Sequence, residues 1–162
     1  MKRTLVVLIE NKPGALARIV GLFHQRGYNI DSLNVAPVFD GSYSRMTVTT
    51  QGTENVVEQI TKQINKLIDV IKVDDITEGS HHEIEFVLIK LLTKDFNKTF
   101  RSKLKNLLHH IIEQDESNVV IGIAGNSVIV DEFLLSLSYK SIIEISRSGC
   151  IGMHKSEKYL TI

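Results

Sequence analysis

The chain has 162 residues, enough for one ordinary domain or two small ones, and its composition of 43% hydrophobic and 23% charged residues is typical of a folded protein. Lys and Arg together number 19, as do Asp and Glu, and the near-zero net charge without a long basic run argues against nucleic acid as the main partner. The single cysteine excludes an internal disulfide framework, no apolar run is long enough to span a bilayer, and strand-like sequence begins too early for a secretory or transit peptide, so we expect a soluble intracellular protein.

The first half of the chain predicts the order β-α-β-β-α-β. Residues 2–9 are rich in β-branched and aliphatic residues and predict a buried strand. A helix follows, with apolar residues at the spacing i, i+3, i+4 and i+7: Leu16, Ile19, Val20 and Phe23. Residues 29–39 and 43–50 predict two strands joined by a turn at 40–42. The half closes with a helix capped by Thr53 and a strand at 70–76, the helix carrying Val56, Ile60, Ile64 and Leu67.

The second half repeats this order after a polar segment, 78–82, which predicts a boundary between domains 1–78 and 79–162. Strands are predicted at 83–92, 110–114 and 118–124, and the chain closes with a strand pair around Ser148-Gly149: 141–147 and 150–154. The third helix is predicted from Phe96, Phe100, Leu104, Leu107 and Leu108, and the fourth from Val130, Phe133, Leu134 and Leu137. The predicted fold class is therefore α+β, with two ferredoxin-like βαββαβ domains, each an antiparallel sheet with two helices on one face.

The turn after the first strand, Glu10-Asn11-Lys12-Pro13-Gly14-Ala15-Leu16, carries the strongest functional signal. A helix start offers unpaired N–H groups and the positive end of the helix dipole, and Gly14 allows a ligand to approach the backbone closely. Asn29 follows Gly27, a helix-stopping residue, and returns to the same neighbourhood. Backbone N–H groups at the helix start could bind a carboxylate, and Asn11 and Asn29 an ammonium, which suits a free amino acid. The alternative is ordinary turn chemistry that caps the helix without a ligand.

The second strand lies at a sheet edge in a ferredoxin-like arrangement, and Pro37 within it fits an edge position. An edge strand exposes unpaired backbone groups. We therefore hypothesise homodimerisation by sheet extension at this edge.

Asn-Lys-Pro-Gly-Ala-Leu after the first strand resembles the signature of ACT domains, small ferredoxin-like modules that bind amino acids. Gly-Leu-Phe-His-Gln-Arg-Gly-Tyr-Asn-Ile-Asp-Ser-Leu at 21–33, Val-Ala-Pro at 35–37 and Ser-Arg-Met-Thr at 44–47 make the chain similar to the small regulatory subunits of acetohydroxyacid synthase (acetolactate synthase). The second half resembles that family more loosely, through the order of its elements and Glu-Ile-Ser-Arg-Ser-Gly at 144–149.

The resemblance implies a subunit without catalytic activity of its own. Such a subunit binds the catalytic (large) subunit, activates it, and confers feedback inhibition by valine, which is held between the ACT domains of two copies in a homodimer. The effector-binding positions that carry over are Asn11, Gly14, Ala15, Leu16, Asn29 and Ile30. Thiamine diphosphate, Mg²⁺ and FAD would belong to the catalytic partner, with no cofactor on this chain.

The residues themselves leave the effector open among valine, leucine and isoleucine, because one methylene in an apolar pocket is worth only about 1–3 kcal/mol. They also leave open an independent tandem ACT sensor that controls another target. A small stand-alone enzyme is disfavoured because the sequence shows no catalytic fingerprint. Arg45 is either a partner contact or a solvated strand residue. The compartment is the cytoplasm, or the plastid stroma if the protein is plastid-encoded.

The histidines invite a metal interpretation, as pairs at 81–82 and 109–110 and as His154 near Cys150. None of these has the repeated spacing of a structural zinc site, and adjacent residues on a strand point to opposite faces. Cys150 lies in an apolar strand context and is predicted to be buried. No metal is therefore predicted on this chain.

Overall fold

The computed structural model describes residues 1–38, 40–155 and 160. The chain forms two compact units. Unit 1 comprises residues 1–82 together with the segment from Cys150 onward, and unit 2 comprises residues 83–149. Within the described residues, no helix combines the length and apolarity needed to cross a membrane.

Unit 1 contains a four-stranded antiparallel sheet and two helices. Its elements are β1 (Lys2–Glu10), α1 (Ala15–Gln25), β2 (Ile30–Val38), β3 (Tyr43–Gln51), α2 (Glu54–Ile64) and β4 (Val70–Asp75). The strand order is β2-β3-β1-β4, so β2 and β4 are the edges. Both helices bury their apolar stripes on one face of the sheet, in a core that includes Leu5, Val7, Ile19, Phe23, Met46, Val57 and Ile60.

The other face of this sheet is also covered. Val6 and Leu8 of β1 are fully buried there, with Ile76 and Leu160. The segment from Cys150 supplies part of the cover, because the Gly152 N–H donates to Thr47 Oγ1 at 3.2 Å. Burial on both faces explains why β1 reads as a continuous apolar run rather than an alternating one.

Arg45 also lies on this covered face. Its Nη2 donates to the Gly152 carbonyl at 2.9 Å, and its Nε is buried without a hydrogen-bond partner among the described residues. The sequence left Arg45 as a partner contact or a solvated residue. Within the chain, it instead binds the C-terminal segment.

Unit 2 also contains a four-stranded antiparallel sheet with two helices. Its elements are β5 (His81–Leu92), α3 (Lys98–Lys103), β6 (Leu108–Gln114), β7 (Asn118–Gly125), α4 (Ser127–Leu135) and β8 (Ile142–His154), where β5 begins and β8 ends in unit 1. The strand order is β6-β7-β5-β8. The core between this sheet and its two helices includes Val87, Ile89, Leu91, Phe100, Leu104, Ile121, Val130 and Phe133.

The predicted fold class and the twofold βαββαβ order are confirmed. Thr53 occupies the N-cap position of α2 as predicted, although its side chain makes no capping hydrogen bond to the helix. The helix ends at Ile64, so Leu67 lies beyond it. Residue 39, the end of the predicted second strand, lies outside the described residues.

The predicted third helix is wrong at its C-terminal end. Asn97 caps α3, its Oδ1 accepting from the Phe100 N–H at 3.1 Å, so the helix begins at Lys98, two residues after Phe96, and it ends at Lys103. Leu108 belongs to β6 instead, opposite Ala124 of β7, and 73% of its surface is exposed. The helix was predicted too long because apolar residues continue at helical spacing beyond Lys103. Leu104 and the half-buried Leu107 pack on the core, but they do so from a turn that follows the helix.

The predicted strand pair at the end of the chain is also wrong. Residues 142–154 form one strand, β8, which runs through Ser148-Gly149 without turning back. The Phe86 N–H donates to Ser148 Oγ, so β8 lies beside β5. Gly149 has φ 75°, and a glycine in that conformation serves a bulge as well as a turn. The compact units therefore differ from the predicted division at 78/79, because residues from Cys150 onward belong to unit 1.

Candidate functional site

A groove of about 210 Å³ lies between the turn that follows β1 and the edge strand β2. Its volume suits a small molecule such as a free amino acid. The lining residues come from the end of β1, the turn after it, the first turn of α1, the C-terminal half of β2 and the start of β3. They are Ile9, Glu10, Asn11, Lys12, Ala15, Leu16, Val35, Ala36, Pro37 and Ser44.

Asn11 fixes one end of this groove. Its backbone N–H donates to the Ser42 carbonyl, and its Nδ2 donates to the Gly41 carbonyl, both at 2.8 Å. These bonds tie the turn after β1 to the hairpin between β2 and β3. The amide oxygen of Asn11 accepts no hydrogen bond from the described residues, so it is available to a donor such as an ammonium.

The start of α1 supplies N–H donors. Gly14 has φ 87°, a left-handed conformation that favours glycine, and it directly precedes the helix. The Ala15 N–H already donates to the Lys12 carbonyl at 3.2 Å. The N–H groups of Gly14 and Leu16 have no acceptor among the described residues, so both are available to an anion.

Two ion pairs surround the helix start. Lys12 Nζ lies 2.6 Å from Glu10 Oε2, and that hydrogen bond raises the pKa of Lys12. Arg18 Nε lies 2.6 Å from Asp69 Oδ2, and the same bond lowers the pKa of the Asp69 carboxyl and raises that of Arg18. Both cations therefore remain charged at neutral pH, next to the positive end of the α1 dipole.

The structure brings together only part of the predicted site. Asn11, Ala15 and Leu16 line the groove, whereas Gly14 lies beside it. Asn29 does not line it. Its Nδ2 donates to Asp31 Oδ1 at 3.0 Å, and its carbonyl accepts from the Thr50 hydroxyl at 2.5 Å. Ile30, also outside the groove, is half-buried and packs on the core of unit 1.

The sequence did not predict the wall of the groove opposite α1 or the two ion pairs near the helix start. Val35, Ala36 and Pro37 form the wall, five to seven residues beyond Ile30. Pro37 on an edge strand was the available signal. The Arg18–Asp69 pair carried no signal, because its members are 51 residues apart in the sequence.

No described group of three or more His, Cys, Asp or Glu side chains could hold a metal ion. The paired histidines instead lie near backbone carbonyls, His81 at Gly79 and His109 at Leu107. His154 Nε2 lies 2.9 Å from Asp74 Oδ2. Cys150 is buried, as predicted.

The fold and the groove define an ACT-type regulatory module, and a family model described as the AHAS small subunit-like ACT domain matches residues 5–72. The chain is 41% identical to the acetolactate synthase isozyme 3 small subunit of Escherichia coli, over 99% of each chain. It is 39% identical to the probable acetolactate synthase small subunit of Archaeoglobus fulgidus, over 98% of this chain and 99% of that one. The crystal structure of the acetolactate synthase small subunit from Thermotoga maritima superposes with a TM-score of 0.87 at 28% identity, covering 98% and 99% of the two chains.

The chain belongs to the family of acetolactate synthase small subunits, the regulatory subunits of that enzyme. Membership of this family implies that the chain has the large subunit of the enzyme as its partner. It therefore favours a regulatory subunit over an independent tandem ACT sensor.

Proposed function

We propose that this chain confers feedback control on acetolactate synthase by binding a branched-chain amino acid, valine above all, in the groove at the start of α1. The observation that carries the proposal is the composition of the groove. An available amide oxygen on Asn11, the N–H of Leu16 at a helix start, and the apolar side chains of Leu16 and Val35 meet in one cavity of amino-acid size.

Each part of a zwitterion has a matching group in this arrangement. The ammonium is bound by the Asn11 amide oxygen and the Glu10 carboxylate, and the carboxylate by the Leu16 N–H and Lys12. Each such charge-assisted bond contributes about 1.5–3 kcal/mol. The branched side chain packs on the wall formed by Val35 and Pro37. Valine, leucine and isoleucine differ only in how well they fill this apolar end.

The same groove favours a homodimer. Its wall is the edge strand β2, and 38% of the Val35 surface is exposed. A second copy that extends the sheet at β2 closes the groove, so ligand binding and dimer geometry become linked. Such linkage is what feedback inhibition of a bound enzyme requires, because the effector must favour one arrangement of the complex over another.

Catalysis belongs to the large subunit in this proposal. That partner binds thiamine diphosphate, Mg²⁺ and FAD and condenses pyruvate. The role of this chain is to bind the large subunit, raise its activity, and reduce that activity when the effector is bound.

The test is reconstitution with the large subunit, with pyruvate condensation measured in the absence and presence of valine, leucine or isoleucine. Two variants probe the site, Gly14→Asp and Gly14→Asn. They have the same size and both put a side chain on a residue at φ 87°, but only aspartate adds an anion at the helix start, where a Cβ would lie 3.5 Å from Arg18 Nη1 and the new charge opposes binding of the ligand carboxylate.

We expect Gly14→Asp to activate the large subunit normally and to lose valine inhibition, whereas Gly14→Asn retains much of it. Calorimetry with valine should show the same order of affinities. Equal valine affinity in the wild type and Gly14→Asp would refute the assignment of the site.

A further inference from the structure

The end of β8 is fastened across the covered face of the unit 1 sheet. We call residues 150–155 the C-terminal strap. The strap is bonded to three strands of that sheet: the Cys150 N–H donates to Ser32 Oγ of β2 at 3.5 Å, the Gly152 N–H donates to Thr47 Oγ1 of β3 at 3.2 Å, and His154 Nε2 lies 2.9 Å from Asp74 Oδ2 of β4. A displacement of these strands therefore acts on the strap.

The link from the strap back into unit 2 is short. The part of β8 that precedes the strap belongs to unit 2, where Ser148 Oγ accepts from the Phe86 N–H of β5 at 3.0 Å. Gly149 is the only residue between Ser148 and Cys150, the first residue of the strap. Consecutive Cα atoms are about 3.8 Å apart, so one residue provides little slack. A movement of the strap is therefore passed to the unit 2 part of β8.

Arg45 connects the strap to the strands that form the effector groove. Its Nη2 donates to the Gly152 carbonyl of the strap at 2.9 Å. Arg45 directly follows Ser44, which lines the groove, and successive residues of a strand point to opposite faces of the sheet. Across the sheet, Arg45 lies opposite Ala36 of β2, which also lines the groove. A ligand that displaces the C-terminal half of β2 or the start of β3 therefore displaces Arg45 as well.

The surroundings of Arg45 give it little value for stability alone. The residue is partly buried, and the loss of water around its guanidinium lowers the pKa of Arg45. Its Nε is buried without a partner among the described residues, and its recorded hydrogen bond goes to a neutral carbonyl. The cost of burying a charged group offsets the gain from that bond. We therefore expect that Arg45 can be replaced without unfolding unit 1.

We propose that Arg45 and the C-terminal strap transmit effector binding in the groove to unit 2, and that this link is needed for inhibition of the bound large subunit. The inference rests on the proposed function for the effector and for the partner. Feedback control requires a free-energy coupling between the effector site and the rest of the complex. Closely packed protein is poorly compressible and transmits strain, which suits a short link that is fastened at both ends. Arg45 is a positioning residue in this scheme, because it acts through Gly152 and does not touch the effector.

The experiment uses variants of the full chain. Arg45→Met removes the hydrogen bond to the strap, whereas Arg45→Lys keeps a cation that can still donate to the Gly152 carbonyl. Arg3→Met is the matched control. Arg3 is also buried in the unit 1 sheet with an unpartnered Nε among the described residues, but its recorded ion pair is with Glu78 and not with the strap. An insertion of two glycines after Gly149 lengthens the link and leaves Arg45 unchanged.

Two quantities are measured for each protein: the affinity of the isolated chain for valine, by calorimetry, and pyruvate condensation by the reconstituted large subunit with and without saturating valine. Arg45→Met and the insertion variant should bind valine within about twofold of the wild type and activate the large subunit normally, yet lose about half or more of the maximal inhibition. Arg45→Lys should retain much of the inhibition, and Arg3→Met should behave like the wild type. A purely structural role of Arg45 would instead weaken valine binding and inhibition together.

Full inhibition by valine in Arg45→Met overturns the link and leaves the proposed function intact. An equal loss of inhibition in Arg3→Met, or a loss of valine affinity in isolated Arg45→Met that accounts for its lost inhibition, also overturns it. If Arg45→Met fails to fold, the insertion variant decides, and full inhibition in that variant overturns the proposal. A wild-type chain that binds no valine, or whose complex valine does not inhibit, overturns the proposed function itself.

Discussion

Gly152 approaches the Ile76 side chain so closely that a methyl group on residue 152 would lie 2.5 Å from Ile76 Cδ1. The same methyl group would lie 3.5 Å from the Cγ2 atoms of Thr4 and Thr47. Carbon atoms in contact are normally about 3.5–4.0 Å apart, so only glycine fits this position without a shift of its neighbours. The C-terminal segment therefore lies directly on the sheet of unit 1.

Gly152→Ala should lower the free energy of unfolding by about 1–3 kcal/mol, as overpacking of a filled core does. Ile76→Val removes the Cδ1 atom that the new methyl group meets, so the double variant should recover part of the loss relative to the sum of the single changes. Urea unfolding of the wild type, the two single variants and the double variant gives the coupling energy between residues 152 and 76.

Gly21→Ala is the matched control for this prediction. A Cβ at Gly21, inside α1, would meet nothing within 4 Å. Alanine there should be neutral, or should stabilise the chain by up to about 1 kcal/mol. If Gly152→Ala were as stable as Gly21→Ala, the close packing of the C-terminal segment would be refuted.

Arg147 should stabilise unit 2 because it compensates a buried carboxylate. Glu85 is 3% exposed, and both of its oxygens accept from Arg147, each at 2.7 Å. These two hydrogen bonds to Glu85 raise the pKa of Arg147 above its ordinary value, and the hydrogen bond to Asp131 raises it further by a smaller amount. Arg147→Met leaves Glu85 without its counter-charge and should cost about 1–3 kcal/mol in thermal or urea unfolding, less than for a fully buried pair because 38% of the Arg147 side chain is exposed to solvent.

Two further variants separate burial from simple loss of a contact. Adding Glu85→Gln to Arg147→Met removes the buried charge, so it should restore much of the stability. Asp131→Asn should cost about 1 kcal/mol or less, because the Asp131 side chain is 54% exposed. A loss in Arg147→Met no larger than that in Asp131→Asn would contradict this account.

The Arg18–Asp69 pair should make stability depend on pH in the acid range. The hydrogen bond from Arg18 lowers the pKa of Asp69, so the folded state favours the ionised carboxyl. This contribution is fully present above the unfolded pKa of about 3.9, and it is lost as pH falls through the lower folded value. Asp69→Asn should therefore be less stable than the wild type at pH 7, with the difference shrinking toward pH 2 in urea titrations. If the stability difference between the wild type and Asp69→Asn stayed constant with pH, the pair would not contribute in the way described.

Val35→Lys should weaken the proposed homodimer. Val35 lies on the edge strand β2, and lysine on an edge opposes pairing with another strand. We expect the dimer dissociation constant, measured by analytical ultracentrifugation, to rise about tenfold or more because two like charges meet at the interface. Ile71→Lys is the control, since Ile71 on the opposite edge strand β4 is equally exposed, at 39% against 38%. Equal weakening by both variants would place the dimer contact elsewhere than β2.

Local sequence patterns were enough for most of the fold. The spacing of Leu16, Ile19 and Phe23 predicted α1, and the polar turn at 40–42 predicted the hairpin between β2 and β3. The turn at Asn11 and the helix start at Ala15 and Leu16 likewise predicted one side of the candidate groove. These features are readable because the residues that form them are close in the sequence, so that periodicity and turn chemistry express them directly.

Only the tertiary structure decided the rest. The Val35–Pro37 wall, the salt bridge from Arg18 to Asp69, and the fit of Gly152 against Ile76 join residues that are far apart in the chain. The same holds for the end of the chain, where Ser148-Gly149 reads as a turn but lies within β8, which has β5 as its neighbour. A local pattern specifies the conformations that a segment can adopt, whereas the choice among them depends on which distant surface it buries, and that surface exists only once the chain has folded.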